Sequence, residues 1–426
     1  MAHFASQHGY KKFVERINKL PLGAPPSELL YKILKILLSE REAGLLSLLP
    51  IKPFKAEKAA RIWKKTESET KVILDGLSDR GLLLDIDDNG QSAYVIPPPM
   101  AGFFEFSMMR YRNDVDQKAL AELYYEYLNV EEDFIRNLFT VGETQFGRVF
   151  VNEPALQPEN TIEVFDYERS SEIIKSSPEI GIGVCYCRHK MEHAGRACDA
   201  PMEICMTFNN TAHSLIKHGI ARSVGADECL DLLDAAYGQN LVQFGDNARK
   251  NVSFICNCCG CCCEAMLAAQ RFGLLNPVHT TNFIPEIKED NCTGCGKCVD
   301  VCPVEAMSLV SANAPDNKKK KKARLNVDIC LGCGVCCRNC ASGCIKLMSR
   351  AQRVITPLNS VHRTVVMAIE RGKLQNLIYD NQAMWNHRAM AAILGVILKL
   401  PPLKQALAMK QVKSRYMEYL VTKLKI

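Results

Sequence analysis

Residues 292–303 read Cys-Thr-Gly-Cys-Gly-Lys-Cys-Val-Asp-Val-Cys-Pro, with the cysteine spacing C-x2-C-x2-C-x3-C. The same spacing returns 38 positions later, at Cys330, Cys333, Cys336 and Cys340. Three thiolates so close in sequence can bind three irons of one cube-shaped cluster only if the backbone turns tightly. Glycines tolerate the positive φ angles of such turns, and the two runs contain Gly294, Gly296, Gly332 and Gly334. Zinc ribbons need only cysteine pairs at wider spacing, so the runs predict two [4Fe–4S] clusters rather than zinc.

Residues 286–349 resemble the two-cluster bacterial ferredoxin domain, whose cysteine runs have this spacing. In that domain the fourth cysteine of each run binds the cluster of the other run. The resemblance therefore implies a crossed assignment of ligands. One cluster is expected on Cys292, Cys295, Cys298 and Cys340, and the other on Cys330, Cys333, Cys336 and Cys302.

The second run departs from the first at three positions. Ala341 stands where the first run has Pro303, and Cys337 and Cys344 occupy positions that are small and apolar in the first run. A buried cysteine often acts as a small hydrophobic residue, and this is the interpretation we favour for both. A ligand exchange from Cys340 to Cys344 remains an open alternative.

The composition indicates a multidomain protein with metal-binding thiols. A length of 426 residues predicts roughly three domains. The first residues show no apolar signal segment and no twin arginine. The longest apolar stretch of the tail, 389–398, is half of the roughly 20 residues that a membrane span needs. We therefore expect no transmembrane span and place the 21 cysteines in a reducing cytoplasm, in an anaerobic host.

The net charge of +6 is unevenly distributed. Residues 346–426 contain 14 Lys and Arg against 3 Asp and Glu, so the rest of the chain is acidic overall. A basic tail is compatible with an acidic redox partner, with peripheral contact to a membrane, or with nucleic acid. A solvated face of a helical tail explains the charge equally well.

Residues 1–110 are predicted to form a winged-helix-like domain. Thr66 and Glu69 have the spacing of a capping box that starts the third helix, and Asn89-Gly90 is typical of a hairpin turn. Phosphate binding requires a basic recognition helix, but this helix and its end are acidic. The charged residues are Glu67, Glu69, Asp75 and Asp79 against Lys71 and Arg80. DNA binding is therefore not expected, and an interaction or scaffolding role is favoured.

The remaining chain divides by its pattern into four segments, which gives a multidomain α+β protein. These are a helical connector (111–159), a cysteine-rich α+β domain (160–285), the ferredoxin-like domain (286–349) and C-terminal basic helices (350–426). In the cysteine-rich domain we predict strands at Ile162–Phe165 and Ile180–Val184 around a helix at Tyr167–Lys175. The lysine run 318–322 is predicted to be a solvated loop that helps to dock an acidic partner.

The cysteine-rich domain contains a second set of thiols. Cys185 and Cys187 are expected to lie at the end of a strand with both side chains on the same face. Cys198 and Cys205 can approach them from the following loop. Four thiols of this kind suit a third [4Fe–4S] cluster or a zinc ion. A later group is placed between a strand and a helix, where the helix N-terminus lowers thiol pKa values. Its members are Cys256, Cys258, Cys259, Cys261, Cys262 and Cys263. Buried structural thiols are the alternative, which so dense a group makes hard to sustain.

Three basic residues accompany these cysteines. His189 and His193 are four positions apart, in a segment expected to be partly a loop because of Gly195. Such a pair is more often hydrogen-bonded than metal-binding, although metal and proton-transfer roles stay open. Arg188 follows Cys187 directly, where its charge can stabilise a negatively charged cluster.

The whole arrangement resembles a largely uncharacterised group of iron–sulfur proteins of anaerobes. The shared marks are Cys-Tyr-Cys-Arg at 185–188, the segment 198–205, the cysteine run 256–263 and the ferredoxin pair. The Cys258-Cys259-Gly260 triplet is also similar to the runs of heterodisulfide-reductase-type subunits. Neither resemblance implies a settled reaction.

Electron transfer at low potential, from the ferredoxin clusters to a redox partner or to a centre in the cysteine-rich domain, is the function that these patterns favour. A reductase with its own cluster in residues 185–263 and an iron–sulfur redox-sensing regulator are the alternatives, so enzymatic activity is left open. We find no dinucleotide-binding or P-loop fingerprint.

Overall fold

The N-terminal part of the chain is a helical unit closed by a hairpin. The computed structural model describes residues 8–88, 91–157, 164–312, 321–381 and 384–398. The first five helices are α1 (His8–Ile17), α2 (Glu28–Leu37), α3 (Glu40–Leu46), α4 (Ala56–Trp63) and α5 (Glu67–Ser78). Strands β1 (Leu84–Asp88) and β2 (Gln91–Val95) pair antiparallel, while the predicted turn at 89–90 lies outside the described residues. The mixed α and β content agrees with the predicted class, and the winged-helix assignment itself stays a prediction.

The predicted start of α5 is confirmed in detail. Thr66 Oγ1 accepts a hydrogen bond from Glu69 N at 3.3 Å, and Glu69 Oε2 accepts one from Thr66 N at 3.1 Å. This reciprocal pair satisfies two of the backbone N–H groups that a helix N-terminus leaves without partners. A second capping box, formed by Ser39 and Glu42, starts α3, which the hydrophobic pattern had not revealed.

The connector contributes to the central sheet as well as forming helices. The short helix α6 (Phe104–Phe106) precedes it, and its own helices are α7 (Gln117–Tyr125) and α8 (Asp133–Thr140). They pack through buried aromatic rings, with Phe104 and Tyr124 centroids 5.0 Å apart. Residues 147–149, within the predicted helical connector, form strand β3 and pair with the central sheet. The connector thus contains a strand in addition to its helices.

The centre of the molecule is a six-stranded sheet in which every pairing is antiparallel. Its order is β3 (Gly147–Val149), β7 (Val242–Asp246), β8 (Phe254–Cys258), β5 (Glu203–Phe208), β4 (Ile180–Val184) and β6 (Arg222–Ser223). The accompanying helices are α9 (Ser170–Ser176), α10 (Tyr186–His193), α11 (Asn209–Lys217), α12 (Ala226–Gly238) and α13 (Glu264–Phe272).

Two elements predicted at the start of this domain differ from the structure. Of the predicted strand at 162–165, the first two residues lie outside the described part, and Val164 and Phe165 are not in a strand. The predicted helix at 167–175 is divided into a 3-10 turn, Asp166–Glu168, and helix α9. The buried Glu168 carboxylate accepts a hydrogen bond from Phe165 N at 2.8 Å, which closes the turn locally.

The two cysteine runs lie in a small unit with internal symmetry. Strand β9 (Phe283–Ile287) pairs with β12 (Ile345–Ser349), and β10 (Met307–Ser311) pairs with β11 (Lys321–Leu325), both antiparallel. The short helices α14 (Lys297–Asp300) and α15 (Val335–Arg338) begin directly after the second glycine of each run, Gly296 and Gly334. Lys321 and Lys322 belong to β11, so the predicted loop at 318–322 is wrong for these two residues; 318–320 lie outside the described part.

The C-terminal helices fold back onto the N-terminal unit. They are α16 (Ser360–Glu370), α17 (Leu374–Ile378) and α18 (Trp385–Leu398), and residues 399–426 lie outside the described part. Arg16 Nη2 and Asp380 Oδ1 form a buried ion pair of 2.5 Å between α1 and the end of α17. Among the described residues, no helix has the length and hydrophobicity that crossing a membrane would require.

Candidate metal centres

The two cysteine runs have nearly identical backbone turns. The φ angles of Gly294 and Gly296 are +69° and +86°, and those of Gly332 and Gly334 are +68° and +88°. A β-carbon at position 294 would lie 2.3 Å from the Lys321 carbonyl oxygen, so only glycine fits there. The backbone therefore has the tight turns that the sequence requires around each group of thiols.

The first group of thiols surrounds a small cavity near the surface. Cys292, Cys295 and Cys298 line it together with Cys340 from the second run. Ala323 N donates to Cys292 Sγ at 3.3 Å, a contact of the kind that tunes an iron–sulfur cluster. Cys295 is exposed. Cys344 also lines the cavity, with its Sγ 3.4 Å from that of Cys340, so both members of the predicted alternative are within reach.

The second group lies deeper, against the central sheet. Burial, together with the nearby Cys336 and Cys302 thiols, raises the pKa of Cys330 to about 12. Cys333 is influenced by the same neighbours, and burial raises its pKa well above the ordinary value. Its carbonyl oxygen accepts a hydrogen bond from Asn152 N at 2.9 Å. Cys302 is therefore close to the three cysteines of the other run.

Ten of the eleven cysteines of the cysteine-rich domain divide into two sets, and the eleventh, Cys229, lies in α12 outside both. Eight of the ten line an internal cavity, and two of these eight, Cys259 and Cys262, also belong to the second set. The other six are called the thiol chamber below. They are Cys185, Cys187, Cys205, Cys256, Cys258 and Cys263. The other four, called the four-thiol set, are Cys198, Cys259, Cys261 and Cys262. Cys205 lies with Cys185 and Cys187, whereas Cys198 lies with the later group.

The chamber thiols come from two strands and the starts of two helices, with Cys205 inside β5. Cys185 is the N-cap residue of α10 and Cys187 lies within that helix, so the prediction that both leave a strand on one face is wrong. Cys256 and Cys258 end β8, and Cys263 is the N-cap residue of α13. Strand ends and helix N-termini thus converge on one space.

The chamber thiols form a continuous network. Cys263 and Cys258 have their Sγ atoms 3.0 Å apart. Hydrogen bonding to Cys263, together with burial, raises the pKa of Cys187, and hydrogen bonding to Cys256 does the same for Cys205. Hydrogen bonds from Cys187 and Cys258 hold the pKa of Cys263 well below its ordinary value. The chamber therefore favours thiolates at some positions, and thiolates are the form that binds metals.

The cavity beside these thiols has a volume of about 260 Å³. Glu105 faces it, and its carboxylate accepts hydrogen bonds from Ala101 N at 2.8 Å and Gly102 N at 3.1 Å. Burial raises the pKa of Glu105 to about 8. A cavity of this size is much larger than the roughly 30 Å³ of a water molecule, so it offers room for a cluster or a small molecule.

The four-thiol set is far more compact. The Sγ atom of Cys198 lies 3.6 Å from that of Cys259 and 3.9 Å from that of Cys262, and Cys261 and Cys262 are 3.7 Å apart. All four sulfur atoms lie within 4.8 Å of one another. Among the described residues, no other set of three or more histidine, cysteine or carboxylate ligands is this compact.

Arg188 lies between the two sets of thiols. Its guanidinium donates to the carbonyl oxygens of Pro201 at 3.0 Å and Asn257 at 2.8 Å. It is 1% exposed, and its Nε has no hydrogen-bond partner within the described part of the chain. Cys185, Cys259 and Cys198 lie close enough to raise its pKa against the effect of burial. A buried cation among thiols fits negatively charged metal centres, as the sequence analysis expected.

A buried ion pair borders the same region. Lys190 Nζ, in α10, contacts Glu264 Oε1, at the start of α13, and the two side chains are 0% and 5% exposed. Asn129 Nδ2 also donates to the Glu264 carboxylate at 3.3 Å. This pair ties together the helices that hold Cys187 and Cys263.

The two histidines show no metal-binding arrangement in the described structure. They lie on helix α10, so the expectation of a partial loop is wrong. His189 Nδ1 is 2.7 Å from the Met108 carbonyl oxygen, and His189 Nε2 is 3.2 Å from His193 Nε2. No compact ligand set among the described residues includes either one.

The ferredoxin-like unit touches the central cysteines directly. Gln270 Nε2 donates to the carbonyl oxygens of both Gly260 and Pro303, each at 2.8 Å. Pro303 follows Cys302, and Gly260 lies between two members of the four-thiol set. No signal in the sequence pointed to Gln270, because its position depends on how the two units pack.

Comparison with known proteins identifies one part of the chain. A protein-family model described as a 4Fe-4S binding domain matches residues 285–308. The chain contains an iron–sulfur domain. The match covers the first cysteine run, which provides for at least one [4Fe–4S] cluster. Neither the curated proteins nor the solved structures gave a significant match to the chain.

Proposed function

We propose that the protein transfers electrons through two [4Fe–4S] clusters in its ferredoxin-like unit to a third redox centre in the thiol chamber. The clusters are held by Cys292, Cys295, Cys298 and Cys340, and by Cys330, Cys333, Cys336 and Cys302. The observation that carries this proposal is the contact of Gly260 with Pro303, because it joins the ferredoxin-like unit to the central cysteines.

The arrangement of the first-run and second-run thiols supports the crossed assignment. Cys340 lines the cavity of the first three cysteines, and Cys302 lies near Cys330 and Cys336. The N–H groups of Ala306 and Gly332 point at Cys302 Sγ and Cys330 Sγ at 3.2 and 3.4 Å. Such hydrogen bonds stabilise thiolates that bind iron.

Exposure of the thiols supports a direction of transfer. Cys295 is exposed, so electrons enter through the cluster of the first run. Cys333 is less exposed than Cys295, and its carbonyl oxygen accepts a hydrogen bond from Asn152 N, just beyond β3. Electrons then leave the second cluster near Cys302 and Pro303. Pro303 contacts Gly260, in the turn between β8 and α13, so electrons pass from there to the thiol chamber.

An acidic redox protein is the partner that fits the surface near the first cluster, where electrons enter. Lys297 and Lys321 are exposed next to the first cavity, and the Lys321 carbonyl oxygen lies against Gly294 beside Cys295. Opposite charges at such an interface steer association and increase its rate. We place the reaction in a reducing cytoplasm, where free thiols remain available for iron.

In this proposal the N-terminal unit supports the central domain structurally and does not bind DNA. Asp79, at the end of α5, has its Oδ1 2.6 Å from His218 Nδ1 of the central domain, and its carbonyl oxygen contacts Arg110. The acidic helix is thus docked at its C-terminal end. A gel-shift screen with genomic fragments at physiological salt should give no sequence-selective binding; selective binding lost on Lys71→Ala would favour the regulator alternative.

A reductase is the second candidate, because the chamber encloses a cavity of about 260 Å³ with Glu105 on its wall. In this alternative a small molecule accepts electrons inside the cavity. Glu105→Gln would then abolish substrate-dependent reoxidation of the reduced protein but leave chemical reduction of the ferredoxin-like unit unchanged. The same rates in both proteins would argue against the reductase.

The proposed function is tested by counting cofactors in the anaerobically purified full chain. Each [4Fe–4S] cluster contributes four irons and four sulfides, so about 8 iron atoms indicate the ferredoxin clusters alone and about 12 indicate a further cluster in the chamber. A count of about 8 would contradict a third cluster in the chamber, and fewer than about 8 would also contradict the pair of ferredoxin clusters. A Cys205→Ser variant should return the count from about 12 to about 8 if the chamber holds that cluster.

A further inference from the structure

We infer that Cys198, Cys259, Cys261 and Cys262 bind a single zinc ion in a tetrahedral site, which borders the cavity of the thiol chamber but uses none of its six thiols. This inference does not depend on electron transfer, because it concerns a different set of ligands. It divides the central cysteines between a structural ion and a redox centre.

The sulfur positions match the geometry of one tetrahedral ion. A zinc–sulfur bond is about 2.3 Å long, so the edges of a zinc–thiolate tetrahedron measure about 3.8 Å. The Sγ separations of 3.6, 3.7 and 3.9 Å lie around this value. Four irons in a cube hold their cysteines farther apart, because each thiolate binds a different iron atom. The compactness of the set thus favours a single ion.

The surrounding charge supports four thiolates at this site. Zinc with four thiolates carries two negative charges, which burial makes costly unless a cation is near. Arg188 is such a cation. It is buried, it lies close enough to Cys198 and Cys259 for these thiols to raise its pKa, and its hydrogen bonds go to backbone carbonyl oxygens. Its unpartnered Nε is an independent sign that the region accepts an anionic group.

The four thiols also come from only two short segments of the chain. Three of them belong to the turn Cys259-Gly260-Cys261-Cys262 between β8 and α13, and Cys198 reaches them from the loop that follows α10. Tetrahedral sites made of four cysteines are typical of zinc. Structural zinc sites contribute directly to folding, so the ion would fix this turn.

The position of the turn gives the ion a further consequence. Gly260, between the ligands, lies against Pro303 of the ferredoxin-like unit. An ion that fixes the turn therefore fixes the contact between the two units. Loss of zinc should loosen that contact even where both ferredoxin clusters remain.

The test compares metal contents of single cysteine variants of the full chain, purified anaerobically with zinc in the medium. Cys261→Ser removes an exposed ligand of the four-thiol set, Cys205→Ser removes a chamber thiol, and Cys229→Ser removes a buried cysteine of α12 outside both sets. Metals are measured by mass spectrometry, and the zinc environment by X-ray absorption at the zinc edge. Because these readouts are independent of activity, failure of the zinc site is distinguishable from failure of the electron-transfer proposal.

We expect about one zinc per wild-type chain, with four sulfur neighbours at about 2.3 Å. Cys261→Ser should lose at least half of the zinc and keep its iron, Cys205→Ser should keep its zinc, and Cys229→Ser should keep both. Wild-type protein without zinc, zinc with nitrogen or oxygen neighbours, or a Cys261→Ser variant that loses iron instead would overturn the inference. Circular dichroism of each variant separates ligand loss from misfolding, and Cys259→Ser provides a second ligand variant.

Discussion

Gly260 and Pro303 lie backbone against backbone, so that a β-carbon at position 260 would be 2.7 Å from the Pro303 carbonyl oxygen. The contact joins the turn of the four-thiol set to the end of the first ferredoxin run. Gln270 completes it by donating to both carbonyl oxygens. The path proposed for electrons between the two units depends on this close approach.

The first prediction concerns that contact. Gly260→Ala forces the two backbones apart, and overpacking of this kind typically costs about 1–3 kcal/mol. We expect the variant to keep its iron but to pass electrons from the ferredoxin-like unit to the chamber more slowly, as measured by rapid-freeze spectroscopy. Gly238→Ala is the matched control, because a β-carbon there meets no atom within 4 Å. Equal rates in both variants would refute a role for the contact.

A second prediction addresses the crossed ligands. Cys302→Ala should damage the buried cluster of the second run and leave the exposed cluster of the first run. Cys340→Ala should do the reverse. A ferrous chelator distinguishes them, since the cluster beside exposed Cys295 should be removed quickly and the enclosed cluster slowly. Rapid removal in Cys340→Ala and slow removal in Cys302→Ala would show that each run serves its own cluster.

The neighbouring Cys344 gives this experiment an internal control. If Cys340 is the ligand, Cys344→Ala keeps both clusters, and the 3.4 Å separation of the two Sγ atoms reflects packing alone. Loss of the exposed cluster in Cys344→Ala, with an intact cluster in Cys340→Ala, would establish the exchanged ligand.

The third prediction concerns the buried pair beside the chamber. Lys190→Met leaves the Glu264 carboxylate buried without its cation, and breaking a buried pair in this way costs about 3–5 kcal/mol of unfolding free energy. Adding Glu264→Gln should recover most of that loss. The exposed pair of Lys175 with Glu172, 3.1 Å long, is the control, because such pairs contribute less than about 1 kcal/mol. Anaerobic denaturant unfolding measures all variants, and a double variant as unstable as Lys190→Met would contradict the account.

The fourth prediction follows from the contact between the N-terminal hairpin and α11. Hydrogen bonding to Asp85 raises the pKa of His218 above its ordinary value, although burial opposes the shift. A raised pKa in the folded state means stability that is present below about pH 6.5 and is lost as the pH rises through the folded-state pKa. A hydrogen bond to a charged group contributes about 1.5–3 kcal/mol, which sets the size of the loss.

His218→Gln should remove this part of the pH dependence. Asp85→Asn should remove the larger share of it, because His218 Nε2 lies 3.0 Å from Asp85 Oδ1. The remainder should persist, because Asp79 Oδ1 lies 2.6 Å from His218 Nδ1 and also raises the His218 pKa. Unfolding free energies measured between pH 6 and 9 provide the comparison with the wild-type protein. An unchanged slope in both variants would show that this contact does not titrate in that range.

The ferredoxin runs could be predicted because their chemistry is local. Four thiols and two glycines within twelve residues restrict the backbone so strongly that the positive φ angles at Gly294 and Gly296 follow from the spacing. The capping box of Thr66 and Glu69 is equally local, and it was predicted correctly.

The division of the central cysteines could not be predicted for the opposite reason. Cys185 and Cys187 share a face on a strand but not on the start of a helix, and the sequence does not decide where β4 ends. Cys198 and Cys259 are 61 residues apart in sequence, and they meet because the loop that carries Cys198 packs against the turn that carries Cys259. Strand β3 escaped prediction similarly, since its pairing with β7 is a long-range contact.

The most direct test of the central claim is rapid-freeze electron paramagnetic resonance of the anaerobic full chain after it is mixed with a low-potential reductant. The account predicts that the signals of the ferredoxin clusters appear first and that a second, distinct change from the thiol chamber follows them. In Cys205→Ser only the first phase should remain. Reduced ferredoxin clusters that persist without any later change in the wild-type protein would contradict transfer to the central domain.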